Sequence, residues 1–189
     1  VARDKAFCFY YEDSLDAVRE MGGEIVPFSP LGESALPEEI DGLYLGGGYP
    51  ELYAKELSEN ASMRASVRAA IEKGVPCIAE CGGFMYLTEA IGDTPMVGAL
   101  PGTCFDTGKL TRFGYVTLRA KSDNLLCRAG GGIAAHEFHH WDCTCPGDAF
   151  TAEKPTGRRW ECAISSGTLY AGYPHFHFYS NPEFLYSFY

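Results

Sequence analysis

Three stretches of this chain carry residue types that can do chemistry together. The first is VPCIAECGGFMYL, Val75 to Leu87, in which Cys81 is followed at once by Gly82 and Gly83. A β-branched apolar run enters the thiol and a helix-like run leaves it. That is the layout of a nucleophile elbow, a tight strand-to-helix turn that holds the nucleophile clear of its own backbone and demands small neighbours. Ala79, Gly82 and Gly83 supply them. A helix start just behind the sulfur also favours negative charge there. Taken by itself, the run fits equally a small buried cysteine beside a turn.

The second stretch is LYLGGGYPE, Leu43 to Glu51. Its three glycines allow backbone N–H groups to turn toward an oxyanion, although a loop needing only positive φ has the same composition. It is not a phosphate loop, because the chain has no GxxxxGK[ST] run. The third stretch is AGYPHFHFYSNPE, where His175 and His177 lie two apart and share one side of a strand. A nucleophilic thiol needs a base that is distant in sequence and near in space. Two histidines alone are as readily a core-edge pair; elbow, glycine loop and histidines in one chain favour chemistry.

A fourth motif is a formal match only. His136-Glu137-Phe138-His139-His140 fits H-E-x-x-H, with Glu161 as a conceivable third ligand. The zinc chemistry of that motif needs a helix, so that both histidines share a face. The surrounding GGGIAAHEFHHWDCTCPG reads as a strand between glycines and a proline turn, and WECAIS around Glu161 reads as another. No metal is expected.

The elements that must position these groups alternate in type through the first half. KAFCFYY, EIVPFSP, GLYLGGGYP and VPCIAE are short apolar runs. Between them, EDSLDAVREMGG predicts a helix with Leu15, Val18 and Met21 on one face, Asp13 as N-cap and Gly22 past its end. NASMRASVRAAIEKG predicts another, with Met63, Val67, Ala70 and Ile71 inward and a stop at Gly74; GFMYLTEAIG predicts a third. Such alternation implies a mostly parallel α/β sheet flanked by helices, with ligands beyond its strand ends. From about Thr111 the runs RFGYVTLRA, WECAISS and TLYAGYPHFHFY predict added antiparallel strands. PEFLYSFY, at the C-terminus, offers exposed aromatics for a contact.

The totals bound the class. With 189 residues the chain suits one domain, 1–189. A net charge of −10 argues against nucleic acid as a partner. No apolar run is long enough for a membrane span and no signal peptide opens the chain, so a cytoplasmic location is expected, with most of the eight cysteines reduced and buried. The first residues, VARDKAF, start on a strand without an initiator Met, as in a piece of a longer polypeptide.

LPEEIDGLYLGGGYPELYAKELSEN, AECGGFMYL, RFGYVTLRA, HEFHH and PHFHFYSNPE together resemble the class I, Cys–His glutamine amidotransferases. The nearest branch is the cobyric-acid type, in particular the C-terminal glutaminase halves of cobyrinate a,c-diamide synthases. The resemblance runs the length of the chain. It implies a flavodoxin-like α/β fold, Cys81 as nucleophile, His175 as the base that activates it, and an oxyanion site at Gly48 and Gly82 with Gly47 in the same loop. It also implies glutamine as substrate and a separate N-terminal synthetase domain, similar to dethiobiotin synthetase, that carries ATP and Mg²⁺ and a corrinoid acceptor; no cofactor is expected in this chain. Three positions depart from the family pattern. His177 stands where class I members have a glutamate, an absence shared by the cobyric-acid branch, and is the candidate for orienting His175. Pro174 replaces a bulky aliphatic residue, and His140 replaces a tyrosine. A thiol peptidase or chaperone of the same elbow superfamily, and a catalytically inactive partner-binding domain, are the competing readings.

Overall fold

The structure is a computed structural model that describes residues 1–188. Its centre is three short parallel strands, Leu43–Leu45, Cys77–Glu80 and Leu169–Gly172, in register Leu43↔Cys77↔Leu169. Alternation decides their burial. Leu43, Leu45, Cys77, Ala79, Leu169 and Ala171 face one core, and Tyr44, Ile78 and Tyr170 face the other. Both faces are therefore covered, as parallel sheets require. Ile164–Ser165 joins one edge antiparallel. At the other edge Ala2 N–H donates to Tyr44 O (3.0 Å), and Ala2 bridges Phe28 in parallel. EIVPFSP thus contributes a single bridge rather than the strand its apolar run predicts; Pro27 has no N–H to donate to a ladder.

One core is closed by the helix Ala61–Glu72, through Met63 and Val67, and by the helix Gly82–Leu87. Asn60 caps the longer helix by accepting from Met63 N–H (3.3 Å). The shorter helix ends at Leu87, earlier than GFMYLTEAIG predicts. Thr88 turns extended and its hydroxyl donates to the Met85 carbonyl (2.7 Å), releasing Ala90–Ile91 to a small mixed sheet. The other core lies between the parallel sheet and a five-stranded antiparallel sheet. Leu15 and Ala17 of the helix Glu12–Glu20 fill it together with Val116, Leu118, Ile133, Ala135 and Phe150. Asp13 is not the N-cap of that first helix; Tyr11 is, and Asp13 sits inside the first turn.

The antiparallel sheet runs Arg159–Cys162, Phe150–Glu153, Arg112–Ala120, Gly132–His139 and His175–Phe176 in spatial order. It is wider than the parallel core, so the second half of the chain rebuilds the fold rather than decorating it. PEFLYSFY forms a helix from Glu183 to Phe188 whose Phe184 and Leu185 are buried; Tyr186 is exposed, and Tyr189 lies outside the described residues. The cysteines are all free, with Cys8 and Cys145 exposed and the rest buried. No helix of the described residues is long and apolar enough to cross a membrane.

One of the tight joints in this architecture is between the helix Gly82–Leu87 and the strand Leu43–Leu45. A Cβ on Gly83 would collide with the Leu45 carbonyl oxygen, whereas one on Gly167 would meet nothing within 4 Å. Gly83→Ala is therefore expected to lower stability by at least about 1–3 kcal/mol, the usual cost of over-packing. Gly167→Ala should leave the thermal midpoint within error. Equal melting curves for the two variants would refute this packing.

Candidate active site

Cys81 follows the last residue of the central strand directly and has φ 48° and ψ −102°. A side chain at positive φ is a strained conformation, costing of order 1–3 kcal/mol, and it persists only when the surroundings over-determine it. Here three hydrogen bonds do so. Cys81 N–H donates to Gly172 O (2.7 Å), Gly83 N–H to Gly46 O (2.9 Å), and Met85 N–H to Cys81 O (2.9 Å). The sulfur is thereby turned away from its own strand.

The chain that holds the elbow also delivers the histidine. Leu169–Gly172 pairs with Cys77–Glu80, Gly172 anchors Cys81, and three residues later His175 has crossed into the antiparallel sheet. His175 and Cys81 are both buried, and the sulfur lies near enough to the imidazole to influence its titration. The glycine loop approaches from the other side. A Cβ on Gly47 would overlap the His175 ring, and one on Gly82 would lie 3.1 Å from the Gly48 nitrogen. Cys81, His175, Gly47, Gly48 and Gly82 therefore lie in one place.

His177 does not belong to that group. The strand ends at Phe176, and the His177 ring lies against Tyr11 with Nε2 2.8 Å from Asp13 Oδ2 on the first helix. The group facing His175 is instead Glu80, the residue before the thiol. Its Oε2 is 3.6 Å from His175 Nδ1, a charge contact rather than a hydrogen bond at that length. Glu80 is buried and firmly held: Tyr44 OH donates to Oε2 (2.8 Å) and Phe176 N–H to Oε1 (3.0 Å). Sequence reasoning missed it because the class I pattern directs attention to an acid after the histidine. The available signal was a glutamate at the end of a wholly apolar strand.

Electrostatics follow from this burial. Desolvation alone would push the His175 pKa down, but the neighbouring Cys81 sulfur and the Glu80 carboxylate outweigh it and raise the value to about 10. The imidazole therefore keeps its proton beside the sulfur at neutral pH. Tyr44, wholly buried next to Glu80, is pushed well above the ordinary tyrosine value and remains a donor.

HEFHH lies largely in the strand Gly132–His139, so its residues alternate faces. Glu137 and His139 point inward, while His136, Phe138 and His140 point out. His139 Nδ1 donates to Trp141 O (2.6 Å), and burial lowers its pKa to about 4. In extended chain His136 and His140 are separated by roughly 13 Å, too far for one metal ion. Glu161 is bound instead to Lys121 Nζ (2.7 Å).

A mixed α/β sheet bearing a thiol at a strained strand end, opposite a buried histidine, defines the fold class of the class I glutamine amidotransferases. Solved structures agree: a crystal structure of a glutamine amidotransferase superposes with a TM-score of 0.62 at 18% identity, covering 100% of this chain and 96% of that one. A chain of PurLQS from Thermotoga maritima gives 0.58 at 16% identity, over 87% of this chain and 80% of that one. The family model for the CobB/CobQ-like glutamine amidotransferase domain matches residues 1–183, and the chain belongs to that family. Among curated relatives, cobyrinate a,c-diamide synthase of Caldanaerobacter subterraneus subsp. tengcongensis is 42% identical over 190 residues, covering 96% of this chain and 42% of that protein. The enzyme of the same name from Listeria innocua is 42% identical over 193 residues, covering 97% and 42%. This chain thus spans less than half the length of these relatives.

If Glu80 holds the proton on His175, Glu80→Gln should move the His175 titration to lower pH, while His177→Asn should leave it in place. Long-range ¹H–¹⁵N NMR of the imidazole reads this directly. Because the folded value is raised, His175 protonation stabilises the fold in full below its ordinary value near 6.5. That stabilisation is lost as pH rises through about 10. An unmoved titration in the glutamine variant would remove Glu80 from the role.

Proposed function

We propose that this domain is the glutaminase part of an ATP-dependent amidoligase and supplies ammonia for amidating the a and c carboxylates of cobyrinate in cobalamin biosynthesis. The observation that carries the reading is the convergence of Cys81 at its strained elbow, the buried His175 ring and the Gly47–Gly48 loop, in a chain so similar to cobyrinate a,c-diamide synthases. In this reading His175 takes the proton of the Cys81 thiol, and the resulting thiolate attacks the side-chain amide carbon of glutamine. Backbone N–H groups of Gly48 and Gly82 receive the developing oxyanion, in the manner of preorganised donors. The His175 imidazolium gives its proton to the departing nitrogen, which leaves as ammonia, and a glutamyl thioester forms. His175 then takes a proton from water, whose oxygen attacks the thioester and releases glutamate with the sulfur restored. Glu80 keeps the imidazole oriented and balances its charge through both steps.

ATP, Mg²⁺ and the corrinoid acceptor are assigned to a synthetase part outside this chain, which itself carries no phosphate-loop motif. The near-complete burial of Cys81 and His175 supports a site that a partner helps to open or complete.

Release of glutamate from free glutamine tests the reading. Cys81→Ser should abolish it. His175→Asn should lower it by about 10²–10⁴-fold, the contribution of a positioned acid–base group. His177→Asn should cost far less, since its partner is Asp13. Equal or reversed losses for the two histidines would mean that the wrong one is assigned. Peptide cleavage without glutamine hydrolysis would favour the peptidase reading, and absence of both the inactive binding domain.

A further inference from the structure

The antiparallel sheet has one buried face and one open face, and the open face changes character along its length. Near its far end it presents Thr117, Arg119 and Ala134, ordinary solvent-facing residues. Near His175 it presents Phe113 (57% exposed), Tyr115 (78%) and Phe138 (53%). Register places these rings on the face that carries the candidate base. His175 is paired with His136, and His136 with Tyr115, while Phe113 is paired with Phe138 one row along. Cross-strand partners share a face, so His175, His136 and Tyr115 form one row. The rings also touch: Tyr115 and Phe113 each lie edge-on to His136, and Phe113 to Phe138.

The patch continues around the site. Phe9 is edge-on to the His175 ring at 4.8 Å and is itself exposed. Beyond the glycine loop, Tyr49 and Leu52 stand exposed on either side of Pro50 and Glu51. Exposed aromatics massed at one place mark a contact surface, since aromatic residues are enriched at interfaces and large exposed apolar patches are uncommon on isolated domains.

The geometry points to this rim, centred on Phe113, Tyr115 and Phe138, as the surface on which the synthetase part of the amidoligase seats itself over the glutaminase mouth. The inference rests on the amidoligase reading above. Two further facts select the occupant. The curated relatives devote more than half of their length to chain not represented here. Ammonia that escapes into water is protonated and is no longer a nucleophile, so its consumer must cover the edge of the sheet at which it is made. A second copy of this chain is the poorer fit, because two bodies of net charge −10 repel each other.

Hydroxyl-radical footprinting of the intact amidoligase tests the seat without any assumption about catalysis. Tyr186, 64% exposed on the C-terminal helix and not part of this rim, serves as an internal reference. Tyr115 and Phe138 are expected to oxidise at least tenfold more slowly than their exposure in this domain implies relative to Tyr186. Oxidation of Tyr115 at the Tyr186 rate overturns the proposal. Protection that disappears on dilution, together with conversion to a smaller sedimenting species of one polypeptide, assigns the surface to a second copy and also overturns it. Tyr115→Ser combined with Phe138→Ser should cut glutamine-driven amidation at least tenfold while amidation driven by an ammonium salt stays within twofold. Unchanged glutamine-driven amidation rejects the docking surface. Failure of the unsubstituted enzyme to hydrolyse glutamine rejects the glutaminase reading instead, and the footprint then decides the seat on its own.

Discussion

The structure depends on one constraint, a cysteine held at positive φ at the end of the central strand. That backbone state is unfavourable for any residue with a Cβ, so nearby elements must meet it with hydrogen bonds from fixed positions. Gly172 supplies one from the neighbouring strand and Gly46 another from the glycine loop. The parallel pairing of Leu43–Leu45 and Leu169–Gly172 on either side of Cys77–Glu80 is what brings both carbonyls to the same turn. The small residues around the elbow follow from the same demand, because the loop, the helix start and the histidine ring crowd into the space that side chains would fill.

A second consequence is electrostatic. Ending the buried central strand in Glu80 places a carboxylate where water does not reach, a costly arrangement unless the charge is hydrogen-bonded and paired. Tyr44 and the Phe176 amide provide the hydrogen bonds, and His175 provides the opposite charge. The Cys81 sulfur and this carboxylate together keep the imidazole protonated against its own burial. Sulfur, imidazole and carboxylate thus form one unit whose members come from two sheets, and the antiparallel sheet that supplies the imidazole continues outward into the aromatic rim. Removing Glu80 alone would leave Tyr44 and the Phe176 amide directed at a missing partner, so the conservative amide is the informative substitution.

Much of this architecture was legible in the sequence wherever the determining interaction is local. The helix Ala61–Glu72 announces itself through its Asn cap, its apolar spacing and its closing glycine, all within one stretch. The elbow is equally plain, since small residues after a strand-end cysteine reflect crowding within a few residues of it. The motif His136 to His140 is rejected on local grounds as well, because strand alternation and helical spacing cannot both hold. Local signals misled where a neighbour in space decided the outcome. Asp13 has the character of an N-cap, yet the chain enters that helix two residues earlier and leaves Asp13 free to bind His177.

Sequence alone therefore determined the strand–turn–helix around Cys81, the glycine loop and the two histidines from which a partner for the thiol must come. Tertiary structure alone brought His175, the histidine named by the family pattern, to the site and decided which acid faces it. Both outcomes follow from pairings between strands about ninety residues apart in the chain, with Gly172 opposite Glu80 and Phe176 bonded to the Glu80 carboxylate. Spacing along a chain sets which side of a strand a residue occupies, but it carries no information about which strand lies next to it. His175 and His177 share a parity, so only the family pattern singled out His175 from the sequence, and it took the strand end at Phe176 and the first helix to place His177 against Asp13.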